Sequence, residues 1–373
     1  MTKTQNGSRW IVAGGGTGGH VTPALALAER IASRGDSVLF MGSERGLEAR
    51  LVPESGFELV ALPAQQVMGR SLLGRLAAAF ALLRAGVTAW RRLGEFRSDI
   101  VISVGGYASV PAVGAAWLRR IPVVLVEPNA VPGRANRAAA RVAQRVFVQF
   151  EAAAEVFARS IDRDRIRAPG IPLRAQLIAT FAANPPRRTP APPFRLLVFG
   201  GSQGARQINE AMIEAAPALA AAGLAIFHQT GAADRERVAD AYAKAGIAAD
   251  VVEFERDMPS RYAWADLALC RSGALTVAEL SLAALPAIFV PYPYAADDHQ
   301  AANARALAAA GAARVLDSAS LSGDRLLAEL RDLVADPAQL DSMSAAAAQL
   351  ARPDAAEQII DDCAALLAAA GRR

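Results

Sequence analysis

The sequence predicts an α/β protein built from two Rossmann-like, doubly wound parallel-sheet domains, and three observations carry that prediction. First, RWIVAGGGTGGHVTPALALAERI near the start is echoed by FRLLVFGGSQGARQINEAMIEAA from Phe194 onward. Each is a short apolar run, a glycine turn and a helix with periodic Ala, Leu or Ile, the opening of a βαβ unit. Second, NPPRRTPAPP at 184–193 separates the two, and its prolines deny it helix or inner strand. Third, apolar strands alternate with Ala-rich helices in both halves, the pattern of parallel sheets covered on both faces.

Taken in order, the first half offers the apolar run 10–13 and strands at 37–41, 100–104, 123–126 and 146–148. The second offers 196–199, 225–229, 251–254, 267–270 and 287–290. The expected division is a domain at 1–180, a proline-rich linker at 181–193, and a second domain at 194–350. A last helix at 351–373 would pack back on the first domain. In such sheets ligands sit beyond the C-terminal ends of the strands, where the glycine loops lie.

Composition narrows the function classes. With 53% hydrophobic and 20% charged residues the chain has material for two sizeable cores and is not a disordered tail. A net charge of +4 favours anionic partners such as nucleotides or phospholipid headgroups. Nucleic acid, a third anionic class, is the weakest of the three and is not expected as a partner, because no dense Lys/Arg block is interleaved with aromatics, which make up only 6%. Cys270 and Cys363 form no C-x-x-C pair and read as buried thiols of a reducing cytoplasm. The opening MTKTQNGSRW has no apolar core and is not a secretory signal. The uncharged run 100–118 is interrupted by Gly105-Gly106-Tyr107, Ser109 and Pro111, so it reads as strand, turn and helix, not as a membrane span.

The first loop, GGGTGGHVTP, fits G-x-G-x-x-G at Gly14, Gly16 and Gly19. That spacing alone is weak. A nicotinamide enzyme wants an acid ending the second strand, whereas the first acid here is Glu44, after Gly42 and Ser43. A phosphate-binding NTPase loop would carry Lys where this chain has His20. At the helix opening His20 can act as a base near neutral pH or cap the turn, and both readings stand. In the second half, GGSQGARQIN turns bare amides and the Ser202 hydroxyl towards an anion at a helix N-terminus. After the strand ending at Cys270, Ser272-Gly273 turns the chain into a helix at 274–282. Its Glu279 is placed to accept both hydroxyls of a ribose, the alternative being an exposed surface acid.

GGGTGGHVTPALALA, GGYASVPA, GGSQGARQIN and CRSGALTVAEL followed by LPAIFVPYP and DDHQAANA, in that order from Ile11 to about Leu307, resemble the MurG family. These are the glycosyltransferases that add N-acetylglucosamine to a lipid-linked muramyl-pentapeptide in peptidoglycan synthesis. The resemblance implies two domains facing across a cleft, in the GT-B arrangement. UDP-N-acetylglucosamine would be held mainly by the second domain and the acceptor by the first. Thr17, Gly18 and Gly19 would line the site beside the reacting sugar, with Gly105, Gly106 and Tyr107 on the acceptor side. His20 is the candidate base, accompanied by Glu127 and Asn129 as catalytic residues, Asn129 towards the donor sugar. Arg174 and Ser202 would hold the diphosphate with Gln203 beside them. Ala274, Leu275, Thr276 and Glu279 would wrap the nucleotide, Phe254 and Glu255 would meet the uracil, and Gln300 would read the donor sugar.

Two departures stand out. The family's His-Glu-Gln-Asn is Val126-Glu127-Pro128-Asn129 here, and its Gly-Asn-Pro is Gly170-Ile171-Pro172. The implied chemistry is an inverting transfer without a cofactor or a metal. The implied place is the cytoplasmic face of the bacterial inner membrane, held peripherally, with other cell-wall proteins admitted as partners. A membrane face is expected at 68–93, where Leu73, Leu76, Phe80, Leu83, Val87 and Trp90 form one stripe among Arg70, Arg75, Arg84, Arg91 and Arg92. The competing reading of that stripe is a core-facing helix, and Gly86 admits a break into two. Rival functions are an NAD(P)-dependent oxidoreductase using the Gly14 to Gly19 loop and a UDP-sugar 2-epimerase of the same plan.

Overall fold

A computed structural model describes residues 7–16, 18–63, 72–183, 190–201 and 204–371. By contact the chain divides into two units, Met1–Ala175 with Arg352–Arg373, and Gln176–Ala351.

Unit one is built on β1 (Arg9–Gly14), β2 (Ser37–Ser43), β3 (Leu59–Leu62), β4 (Ile100–Gly105), β5 (Val123–Glu127), β6 (Arg145–Val148) and β7 (Ile166–Arg167). They form one sheet in the order β3-β2-β1-β4-β5-β6-β7, every pair parallel. All six residues of β4 are buried, which is why it reads as a continuous apolar run: helices cover both faces. Strand order reverses between β1 and β4, the switch point where α/β sheets open a ligand crevice. A register shift after Ala13 sets Gly14 opposite Gly105, so the two glycine turns leave the sheet side by side.

The helix Leu72–Glu95 runs unbroken through Gly86. It buries Ala85, Ala89 and Leu93 and turns Phe80, Leu83 and Val87 outward, at 64%, 70% and 62% exposure. Core-facing packing over this stretch is carried by two alanines and Leu93, while Phe80, Leu83 and Val87 lie outside the core. The stripe's remaining members, Leu73 and Leu76, and the basic Arg70 and Arg75, fall outside the described side chains, as does Met68. The helix Val110–Leu118 packs beside it, with Trp117 and Leu118 exposed, and Arg119 stacks on the Trp90 ring at 4.3 Å. No helix among the described residues is long and apolar enough to cross a membrane.

The helix Ala355–Ala370 belongs to unit one, where it packs on the helix Gly18–Ser33 and buries Ile359, Ile360 and Cys363. Arg30 and Arg34 pair with Glu357, Arg34 reaches Asp361 at 2.6 Å, and Arg145 meets Asp362 at 3.2 Å.

Unit two is built on β8 (Phe194–Phe199), β9 (Leu224–Gln229), β10 (Ala249–Val252), β11 (Leu267–Cys270), β12 (Ala287–Phe289) and β13 (Ala313–Val315). The order is β10-β9-β8-β11-β12-β13, again all parallel, with the reversal between β8 and β11. The strand expected at 251–254 lies two residues earlier. Glu253 and Phe254 have already left the sheet, and Phe254 is exposed. The helix expected at 274–282 spans Ala274–Leu282, capped by Gly273.

Candidate active site

In unit one the chemistry gathers at the C-terminal ends of β1, β2, β4 and β5. Gly18 and Gly19 open the helix Gly18–Ser33, and half-buried His20 sits in its first turn. Thr17 lies outside the described residues. Gly106 approaches the first loop closely, since a Cβ there would come within 2.5 Å of the Gly15 carbonyl oxygen, and its φ is +79°. A Cβ on Gly105 would meet the Asn136 amide nitrogen at 3.1 Å and His20 Cδ2 at 3.3 Å. The bare backbone of Gly105 thus lets the imidazole and the Asn136 amide approach one spot. Tyr107, half-buried, follows directly.

Glu127 ends β5 and is 1% exposed. Its Oε1 accepts from the Asn129 backbone N–H at 3.0 Å and from Asn129 Nδ2 at 3.3 Å. Its Oε2 accepts from the Gly133 N–H at 3.0 Å and Asn136 Nδ2 at 2.9 Å. Burial pushes this carboxyl above its ordinary range, and the four donors pull in the opposite direction. Both oxygens are engaged, so the group fixes the loop carrying Asn129 and the amide beside His20. Asn136, 2% exposed, was not singled out by the sequence; nothing in its neighbours marks it as the bridge.

In unit two the sequence-predicted residues are held from β9, β11 and the loops after them. Ser202 and Gln203 lie outside the described residues. Gln229, closing β9, donates from Nε2 to the Gly201 carbonyl at 2.8 Å and accepts the Glu255 N–H at 3.3 Å. It therefore ties the second glycine loop to the loop of Glu255. That carboxylate pairs with Arg261 at 2.7 Å and accepts the Asp257 N–H at 2.9 Å. Burial works to raise its pKa, but these donors and the Arg261 charge outweigh it and hold it low.

Glu279 is half-buried on the helix Ala274–Leu282, and its Oε2 accepts the hydroxyl of Tyr262 at 2.8 Å. Tyr262 is 2% exposed, its ring tilted against Phe199 at 6.0 Å. Ala274 is buried at the start of that helix, with Leu275 and Thr276 half-buried after it. Gln300 accepts the Tyr292 N–H through Oε1 at 3.0 Å, and its carbonyl accepts the Ser272 hydroxyl at 2.8 Å. Arg174 lies in unit one, exposed in the segment after β7.

Two further groups escaped sequence reasoning. Arg271 follows β11 and donates to the Val290 and Pro291 carbonyls and to Gln207 Oε1, each at 3.0 Å. It joins the ends of β11 and β12 to the helix after the glycine loop. His228 on β9 is fully buried between Tyr242 Oη at 2.8 Å and Asn209 Oδ1 at 3.0 Å. Asn209 Nδ2 already donates to the Thr230 carbonyl and to Asp234. Its Oδ1 must therefore accept, which puts the imidazole proton on Nε2 and lets Nδ1 accept from Tyr242.

The model of the glycosyltransferase family 28 N-terminal domain matches residues 10–148, and that of the family 28 C-terminal domain matches residues 195–359. A relative from Anaeromyxobacter sp. (strain Fw109-5) is 44% identical over 363 residues, covering 96% of this chain and 93% of its own. One from Geobacter metallireducens is 44% identical over 358 residues, covering 95% and 97%. Both are named UDP-N-acetylglucosamine–N-acetylmuramyl-(pentapeptide) pyrophosphoryl-undecaprenol N-acetylglucosamine transferase. Among solved structures, Acinetobacter baumannii MurG superposes with a TM-score of 0.78 at 32% identity, over 95% of this chain and 98% of that one. A UDP-GlcNAc 2-epimerase from Neisseria meningitidis gives 0.64 at 14% identity, a likeness of fold alone. The chain belongs to glycosyltransferase family 28 and, within it, to the MurG family.

Proposed function

We propose that the chain moves N-acetylglucosamine from UDP-N-acetylglucosamine to the 4-hydroxyl of undecaprenyl-pyrophosphoryl-N-acetylmuramyl-pentapeptide, the step from lipid I to lipid II. The observation that carries this is identity of 44% across 96% of the chain with a relative bearing that activity in its name. The donor binds on unit two, with Glu279 on the ribose, the Glu255 loop at the uracil and Gln300 at the sugar. The helix Ala274–Leu282 and the glycine loop after β8, with Ser202 and Gln203, bind the diphosphate. The acceptor binds on unit one, where His20 takes the proton of the attacking hydroxyl. Attack comes from the face opposite UDP and inverts the anomeric carbon. Charge grows on the leaving diphosphate, and preorganised amides stabilise it. Glu127 serves by holding Asn129 and Asn136 in place.

The enzyme works on the cytoplasmic face of the inner membrane, in cell-wall growth and division. Exposed Phe80, Leu83, Val87 and Trp90, flanked by Arg84 and Arg91, support contact with anionic lipid. Titration with UDP and separately with NADH, followed by thermal shift, tests the donor class. UDP raises the unfolding temperature and NADH does not; the reverse pattern overturns the assignment.

A further inference from the structure

The first glycine loop invites an anion, and the structure supplies one from the chain itself. Glu48, 1% exposed, folds back from the helix Glu48–Glu54 over the end of β2. Its Oε2 accepts the Gly16 N–H at 2.8 Å, while Oε1 accepts the Ser43 N–H at 2.8 Å and the Ser43 hydroxyl at 2.7 Å. A buried carboxylate without such donors would be strongly destabilising; here three donors compensate it.

The surrounding chain is shaped to admit that group. A Cβ on Gly15 would fall 2.0 Å from Glu48 Oε1, one on Gly46 2.1 Å from Oε2, and one on Gly42 2.7 Å from Cγ. None of these three glycines has a positive φ, so backbone conformation does not require them. Their common property is the space they leave for one carboxylate. Glu44, the acid that sequence places nearest to β2, is exposed instead.

We propose that Glu48 is the resident anion of the first glycine loop, a positioning residue that fixes the Gly14–Gly16 turn and excludes a dinucleotide from it. A dinucleotide on a Rossmann unit presents its pyrophosphate to this loop and its ribose to the end of the second strand. In unit one the Glu48 carboxylate holds an amide at each of those places. The loop is thereby set rigidly before the helix that carries His20, and the G-x-G-x-x-G spacing serves internal packing. The catalytic part of this inference rests on the transferase reading; the structural part does not.

The test uses Glu48→Ala and Glu48→Gln in the full chain, with sodium formate as a replacement carboxylate and sodium chloride at equal ionic strength as the control. Three quantities are read: unfolding temperature, UDP affinity by calorimetry, and transfer kinetics. Glu48→Ala should unfold at lower temperature, and formate should raise that temperature saturably while chloride does not. UDP affinity and donor KM should stay near wild type while kcat falls about tenfold or more, as expected when an interaction acts only on the reacting geometry. Glu48→Gln, which keeps shape but turns a donor towards an amide, should fall between. Gly15→Ala should destabilise wild type but not Glu48→Ala, whose vacated space accepts the methyl. An unfolding temperature unmoved by formate, or Gly15→Ala equally harmful in both backgrounds, overturns the resident-anion role. Wild-type kcat in Glu48→Ala overturns the positioning role. If wild type itself transfers nothing, the transferase reading fails while the formate and Gly15 arms still decide the structural claim.

Discussion

The hydroxyl of Tyr262 donates to Oε2 of Glu279 at 2.8 Å, across 17 residues of sequence. A buried tyrosine, itself set against Phe199, thus fixes one carboxylate on the helix Ala274–Leu282. The chain uses a tertiary contact to preorganise a side chain whose proposed partner is a ribose. Removing that carboxylate should be costly, because hydrogen bonds to a charged group contribute about 1.5–3 kcal/mol. Glu279→Ala should therefore weaken UDP by about tenfold or more in calorimetry and raise donor KM in parallel. Tyr262→Phe should act in the same direction but more weakly. UDP affinity unchanged in Glu279→Ala removes Glu279 from the nucleotide site.

His20 lies where the Asn136 amide and the Gly105 backbone converge. As the base it should govern turnover and leave the nucleotide alone. His20→Ala is expected to lower kcat by about a hundredfold or more, with UDP affinity within a few fold of wild type. A turnover close to wild type makes His20 a packing residue.

His228 gives a pH dependence of stability that is separate from catalysis. Burial pushes its pKa from 6.5 to about 3, against a smaller opposing pull from Asp234. Between those values the unfolded chain binds a proton that the folded chain refuses, so stability rises with pH across that window. The contribution of neutral His228 is complete above 6.5 and is lost as pH falls towards about 3. Denaturant unfolding of wild type should show a steeper acid slope than His228→Gln, by up to about 1.4 kcal/mol per pH unit. Parallel curves for the two proteins contradict the buried, neutral imidazole.

The outward face of the helix Leu72–Glu95 should bind anionic vesicles and release them in salt. Arginines near such a surface contribute on the order of 1 kcal/mol each, so changing Arg75, Arg84 and Arg91 together to Glu should weaken binding by about a hundredfold or more. Leu83→Ser with Val87→Ser should weaken it at any salt concentration. Co-sedimentation of the triple variant equal to wild type places the membrane face elsewhere.

Legibility followed the range of the interactions. Strands buried on both faces, such as β4, announce themselves as apolar runs, and the Ser272-Gly273 turn marks the start of the following helix. The edge strands β3, β7 and β13, two to four residues long, are too short to show a period. Gly86 looks like a breaker, but Ala85 and Ala89 pack at 0% exposure beside it, and that burial exceeds the cost of about 1 kcal/mol for one glycine. In the site, residues that follow a glycine turn, such as His20 and Glu279, stand out by position. Their supports do not. Glu48 meets Gly16 32 residues away, His228 meets Asn209 19 away, and Asn136 meets Glu127 nine away. Such pairs have no local periodicity, and a lone Glu or Asn carries no sign of its burial.

The transferase activity is tested by transfer of radiolabelled N-acetylglucosamine from UDP-N-acetylglucosamine to a short-chain lipid-linked muramyl-pentapeptide. Label is expected in the lipid product only when both substrates are present, with one UDP released per sugar moved and a β-linkage formed. A folded, UDP-binding protein that releases free sugar or epimerises the donor without labelling the lipid would contradict it.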